Sequence, residues 1–167
     1  MKQRLIAAGA ALAAVAMIQP YRPFVVSGTS MTPTFQSGQI LLANIHPRNI
    51  ERGDVVVFRH DDETMVKRVA YLPGDSIQQF FFAKEWNVPS SKLMMKSMIR
   101  LKIPSRRTVI PQGHVYVLAD NPYGSIDSRT LGPIAASDVL AVLRNVDPTA
   151  EWNIDSAVKG SALVASL

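Results

Sequence analysis

Ser30-Met31-Thr32-Pro33 sets a serine hydroxyl in a Gly/Pro-rich turn, and Val66-Lys67-Arg68-Val69 sets one amine inside an apolar run. The pair points to a serine nucleophile with a lysine as its base. A Ser-His-Asp triad would need a histidine held beside the serine, and His46, His60 and His114 stand in unrelated loop-like contexts. A lysine acts as a base only when neutral, so its ordinary pKa of about 10.4 must drop to near neutrality, at roughly 4 kcal/mol against the charged form. Burial can supply this. Lys67 lies between Met65-Val66 and Val69-Ala70-Tyr71, so its stem enters an apolar layer if the run is a strand. The plainer reading is a lysine that points to solvent and a turn that is only a turn.

A third segment adds to the pair. Asp120-Asn121-Pro122-Tyr123-Gly124-Ser125-Ile126-Asp127-Ser128-Arg129-Thr130-Leu131-Gly132-Pro133 is polar and turn-rich, and it follows directly on the apolar Val115-Tyr116-Val117-Leu118-Ala119. That is the arrangement of a functional loop on a rigid strand. Alone, it reads equally as two solvated turns. Taken together, the three segments resemble the motifs of the type I signal peptidase family, from about Val25 to Ile134 with about Ser76 to Pro111 unmatched. Within that family the chain is most similar to the mitochondrial inner membrane protease subunits. It is short, has one N-terminal hydrophobic segment, carries Gly113-His114-Val115-Tyr116 before the last motif, and has a Pro-and-Trp tail from Asp147-Pro148 to Trp152.

The resemblance implies that Ser30 attacks the scissile carbonyl, that Lys67 takes its proton, and that an acyl-enzyme follows. It implies that Ser125 hydrogen-bonds the Lys67 amine and aims it, while Asp127 and Arg129 pair to hold the loop, as residues sharing one face of an extended segment can. Arg68 is then structural. The family's oxyanion hole uses the nucleophile's own N–H, and some bacterial members add a serine hydroxyl two positions earlier, where this chain has Gly28. One such donor is worth about 10²- to 10³-fold in rate, so either the backbone suffices or Ser27 or Thr29 helps. A second departure is Ala119-Asp120-Asn121, where the family usually has Gly-Asp-Asn. No cofactor and no metal is implied. The implied partners are precursor proteins with extended cleavage segments, the lipid bilayer, and a second homologous peptidase subunit.

The N-terminus bears on location. Lys2 and Arg4 precede an uncharged, alanine-rich run from Leu5 to Ile18 that stops at Gln19-Pro20-Tyr21-Arg22-Pro23. As a helix it spans about 21 Å of a hydrocarbon core of about 30 Å. A basic start, a short apolar core and Ala14-Val15-Ala16 also fit a cleavable signal peptide. The resemblance implies instead a retained anchor, with Lys2 and Arg4 snorkelling to lengthen the span. With positive charge kept inside, the body lies on the trans side, in the mitochondrial intermembrane space or, alternatively, outside a bacterial plasma membrane.

The elements that must carry these residues are mostly strands. Ile40–Ala43, Val55–Arg59, Met65–Tyr71, Ser76–Phe82, Val115–Ala119 and Val139–Val146 are short β-rich runs divided by Gly and Pro. The expectation is a mainly β, largely antiparallel signal-peptidase-like fold with one N-terminal hydrophobic helix. It divides into an anchor (1–23), a peptidase domain (24–150) with a variable basic insert (76–111), and a C-terminal tail (151–167). Zero cysteines exclude disulfides, thiol catalysis and cysteine-based zinc sites, and three isolated histidines speak against a metal site.

Residues 84–107 hold seven basic side chains against Glu85 alone, a net of +6, while the rest, with eleven basic and twelve acidic residues, carries −1. Lys92, Lys96 and Arg100 at i, i+4 and i+8 fit a basic amphipathic helix for an anionic membrane surface or a partner, whereas Ile99, Leu101 and Ile103 alternate as a strand does. A solvated loop and hairpin is the simpler reading. Nucleic acid binding has charge in its favour but no motif, so no nucleic acid partner is expected. Two other classes compete with the peptidase. A self-cleaving repressor-type protein uses a similar Ser-Met and Lys pair, but Ala8-Gly9 lies inside the apolar segment and no helix-turn-helix precedes it. A non-catalytic membrane scaffold would normally have lost Ser30 or Lys67, and both are present.

Overall fold

The structure is a computed structural model that describes residues 20–47, 49–89, 92–121, 123–144 and 146–147. The apolar run Leu5–Ile18, and with it the expected N-terminal helix, lies outside the described residues, as does the tail from 148. Among the described residues no helix is long and apolar enough to cross a membrane.

Ten strands dominate: β1 (Tyr21–Val25), β2 (Ile40–Asn44), β3 (Val55–His60), β4 (Glu63–Tyr71), β5 (Ser76–Phe82), β6 (Glu85–Asn87), β7 (Ser105–Val109), β8 (His114–Leu118), β9 (Ile134–Ala135) and β10 (Val139–Leu143). Among the described residues two helices, α1 (Lys92–Arg100) and α2 (Ser128–Leu131), and one 3₁₀ turn (Ala136–Asp138) complete them. The larger sheet runs β1-β2-β10-β3-β4-β8-β9 and the smaller β6-β5-β7, and every pairing is antiparallel.

The expected mainly β, antiparallel architecture is what the chain forms, with several boundaries corrected. Tyr21–Val25, which begin within the stop of the apolar run, pair with β2 as β1. The run expected over Val139–Val146 ends at Leu143, and the one expected over Val115–Ala119 covers His114–Leu118. The basic stretch is neither a loop nor a strand across Ile99–Ile103. It holds β6, α1 and the start of β7, with Met95 and Met98 of α1 buried against Phe80.

β3 sits at the centre because Val55-Val56-Val57-Phe58 is β-branched and apolar on both faces, the pattern of a strand covered on both sides. Val56 and Phe58 join Val69, Val115, Val117, Ile134 and Val142 in one core. Val55 faces the other way, onto Val26, Met31, Phe35 and Leu41. Met31 and Phe35 are the apolar side chains of the Ser30 turn, so that turn is seated on the sheet by the residues that follow the serine.

Candidate active site

β1 ends at Val25, and the chain then reverses through Gly28 (φ 82°), a conformation that an L side chain adopts only at a cost of about 1–2 kcal/mol. A serine here would be strained. The following turn is closed by the Thr32 N–H and hydroxyl, which donate to the Thr29 carbonyl at 3.1 and 2.8 Å, and by Phe35 N–H to Met31 carbonyl at 2.8 Å. Ser30 is half-buried at the start of this turn. Its N–H donates to no protein acceptor among the described residues.

Lys67 comes from the middle of β4, opposite Val56 on β3, and is 5% exposed. Its Nζ lies 2.9 Å from Ser30 Oγ and donates to the Val66 carbonyl at 3.0 Å. Among the described residues no carboxylate forms an ion pair with it. Burial therefore dominates and pushes the amine below its ordinary pKa, while Asp127 and Asp120 at longer range pull weakly the other way. A lysine so placed gives up its proton more readily than a solvated one, and it does so next to a hydroxyl.

The expected partners of the pair are partly assembled here. Asp127 is fully buried and is held by Arg129, whose Nε and Nη2 donate to its two oxygens at 2.9 and 2.7 Å. The pairing does not come from an extended segment, as expected: Asp127 is the N-cap of α2 and also accepts from the Arg129 N–H at 3.0 Å. It accepts from Ala119 N–H at 2.9 Å as well, which ties the loop to the end of β8. Ser125 does not bond Lys67. Its hydroxyl donates to the Asn121 carbonyl at 2.6 Å, although it lines the same cleft. Arg68, expected to be structural, is 1% exposed and donates to both Asp120 oxygens at 2.9 and 2.8 Å and to the Gly53 and Val146 carbonyls.

Two residues escaped the sequence reading. Asp120 is the counter-ion of Arg68, and the Asn121 N–H donates to the Ser30 carbonyl at 2.9 Å. Both stood within the polar segment already singled out, but nothing local distinguishes them from turn formers.

Ser30 and Lys67 open onto a cleft of about 650 Å³. One wall is β1, the end strand of the sheet. The other is the first half of β4: β3 pairs with Glu63–Arg68 but β8 joins only from Arg68 onward, so among the described residues one edge of Glu63–Lys67 has no strand beside it. None of the three histidines lines the cleft. Among the described residues no group of acidic and histidine side chains could hold a metal ion.

The family model "Signal peptidase, peptidase S26" matches residues 1–146. Signal peptidase I V of Bacillus subtilis (strain 168) is 32% identical over 139 residues, covering 73% of this chain and 83% of that protein. Mitochondrial inner membrane protease subunit 2 of Saccharomyces cerevisiae is 29% identical over 144 residues (78% and 70%), and subunit 1 of Xenopus tropicalis is 33% identical over 116 residues (66% and 59%). With bacterial and mitochondrial relatives at similar identity and a family match that runs from the first residue past the end of β10, the chain belongs to the S26 signal peptidases, serine peptidases that hydrolyse peptide bonds.

Proposed function

We propose that this protein is a membrane-anchored endopeptidase that removes N-terminal presequences or sorting signals, with Ser30 as nucleophile and Lys67 as general base. The observation that carries this reading is the 2.9 Å contact between Ser30 Oγ and the amine of a buried lysine that has no carboxylate partner among the described residues. Neutral Lys67 accepts the hydroxyl proton as Oγ attacks the scissile carbonyl. The Ser30 N–H stabilises the oxyanion, and the protonated amine returns its proton to the leaving nitrogen. A water activated by the same amine then cleaves the acyl-enzyme.

The substrate enters as an extended strand between the unpaired edges of β1 and β4, where main-chain hydrogen bonds supply affinity and the cleft selects side chains. Leu5–Ile18 serves as the anchor, which keeps the cleft near the bilayer from which precursors emerge. The mitochondrial relatives support an intermembrane-space location and a second homologous subunit as partner. The bacterial relative supports the second reading, a signal peptidase I facing outward from a plasma membrane.

Ser30→Ala and, separately, Lys67→Met should each abolish precursor cleavage in membranes. The wild-type rate should fall on acidification, because the base is active only above its lowered pKa and is protonated below it. Retained cleavage in the Lys67→Met protein rejects the assigned base.

A further inference from the structure

We propose that Asn121 is the positioning residue of the nucleophile turn, acting through the peptide that carries the Ser30 N–H. The inference rests on Ser30 being the nucleophile. Asn121 follows Asp120, whose carboxylate is gripped at both oxygens by the buried Arg68, and Arg68 is the chain neighbour of Lys67. The strand that carries the amine therefore fixes the backbone from which Asn121 projects.

Every polar group of Asn121 is engaged. Its N–H donates to the Ser30 carbonyl at 2.9 Å, and its carbonyl accepts from the Ser125 hydroxyl at 2.6 Å. The side-chain Nδ2 donates to the Thr29 carbonyl at 3.3 Å and to Thr32 Oγ1 at 3.4 Å, while Oδ1 accepts from Tyr123 N–H at 3.2 Å. A backbone carbonyl can only accept and a backbone N–H can only donate, so these partners fix the orientation of the amide. One half of the residue gathers its own loop and the other half holds the turn.

The contact with Thr29 is the informative one. The Thr29 carbonyl and the Ser30 N–H belong to one planar peptide, so whatever orients the first also aims the second. The peptide is not held by packing: Gly28, at φ 82°, and Thr29 are exposed, and the apolar anchors Met31 and Phe35 begin only after Ser30. Besides Asn121, only the Thr32 N–H and hydroxyl reach the Thr29 carbonyl among the described residues, and both lie within the same turn. Among the described residues Asn121 is the long-range hydrogen-bond partner of the Thr29 carbonyl, and so sets this peptide within a turn that Met31 and Phe35 seat on the sheet. It should act on the transition state, where the oxyanion forms, and leave substrate binding alone.

The test compares full-length wild type, Asn121→Ala and Asn121→Asp on a presequence-bearing precursor, with Ser30→Ala in the same assay. Asn121→Ala should lower kcat by about 10- to 100-fold with KM within about twofold, and the acidic limb of the pH profile should stay where it is in wild type because Lys67 is untouched. Asn121→Asp keeps an acceptor for Tyr123 N–H but loses the donor to Thr29, so it should be no better than Asn121→Ala. A wild-type rate in Asn121→Asp, a kcat within twofold of wild type in Asn121→Ala, or a displaced acidic limb overturns the proposal. Cleavage by Ser30→Ala would instead overturn the nucleophile assignment, so the two failures are separable.

Discussion

Lys67 is held in a state that works against the stability of the fold. Its pKa is lowered in the folded protein by burial, so between that lowered value and the lysine's ordinary 10.5 the unfolded chain binds more protons than the native one, and stability rises with pH across that window. Replacing the amine by an apolar side chain of similar length removes this cost. Lys67→Met should raise the thermal midpoint at pH 7 by about 2–4 °C per kcal/mol relieved, while abolishing cleavage, and differential scanning calorimetry at pH 7 and pH 9.5 should find the gain smaller at the higher pH. The proximity of Ser30 and Lys67 was legible in the sequence because a lysine is uncommon in an apolar run such as Met65–Tyr71 and because the three segments together resemble one family. The direction of Ser125 and the role of Asn121 were not, because each depends on where one loop meets a turn about ninety residues away in the chain.

At the scale of elements, the long apolar strands β3, β4 and β8 were legible because their β-branched runs leave little alternative. The short edge elements β6, β7 and β9 were not: Glu85–Asn87 and Ser105–Val109 are too polar to read as strands and are held by pairing to β5 alone. α1 carried two competing periodicities, and packing decides between them. Met95 and Met98 enter a pocket with Phe80, with Met94 and Ile103 at its margin, while Lys96 and Arg100 stay in solvent. Met98→Ala should cost about 2–4 kcal/mol. Hydrogen exchange should then accelerate in α1 and β5–β7 before it does in β3 and β4, since this cluster is separate from the cores beneath the Ser30 turn and around β3.

Across the whole molecule, charge is divided as sharply as the cores are. The net +6 of residues 84–107 sits on the small sheet and its helix, where Leu93, Ile99 and Leu101 are exposed among the cations, and the rest of the chain is close to neutral. Anionic surfaces attract such a patch at about 1 kcal/mol per cation near the headgroups, screened by salt. Lys96→Glu with Arg100→Glu should reduce binding of the detergent-solubilised protein to vesicles containing phosphatidylserine and flatten its salt dependence in a flotation assay, with cleavage of a soluble peptide unchanged. β3 carries a different consequence. Because Val55 supports the Ser30 turn from one side while Val56 and Phe58 belong to the core on the other, turn and scaffold share a single wall. The contact between Ser30 and Lys67 therefore has no melting unit of its own: heat cannot loosen it without dissolving the barrier between the two interiors, so cooperativity of the whole sheet protects it.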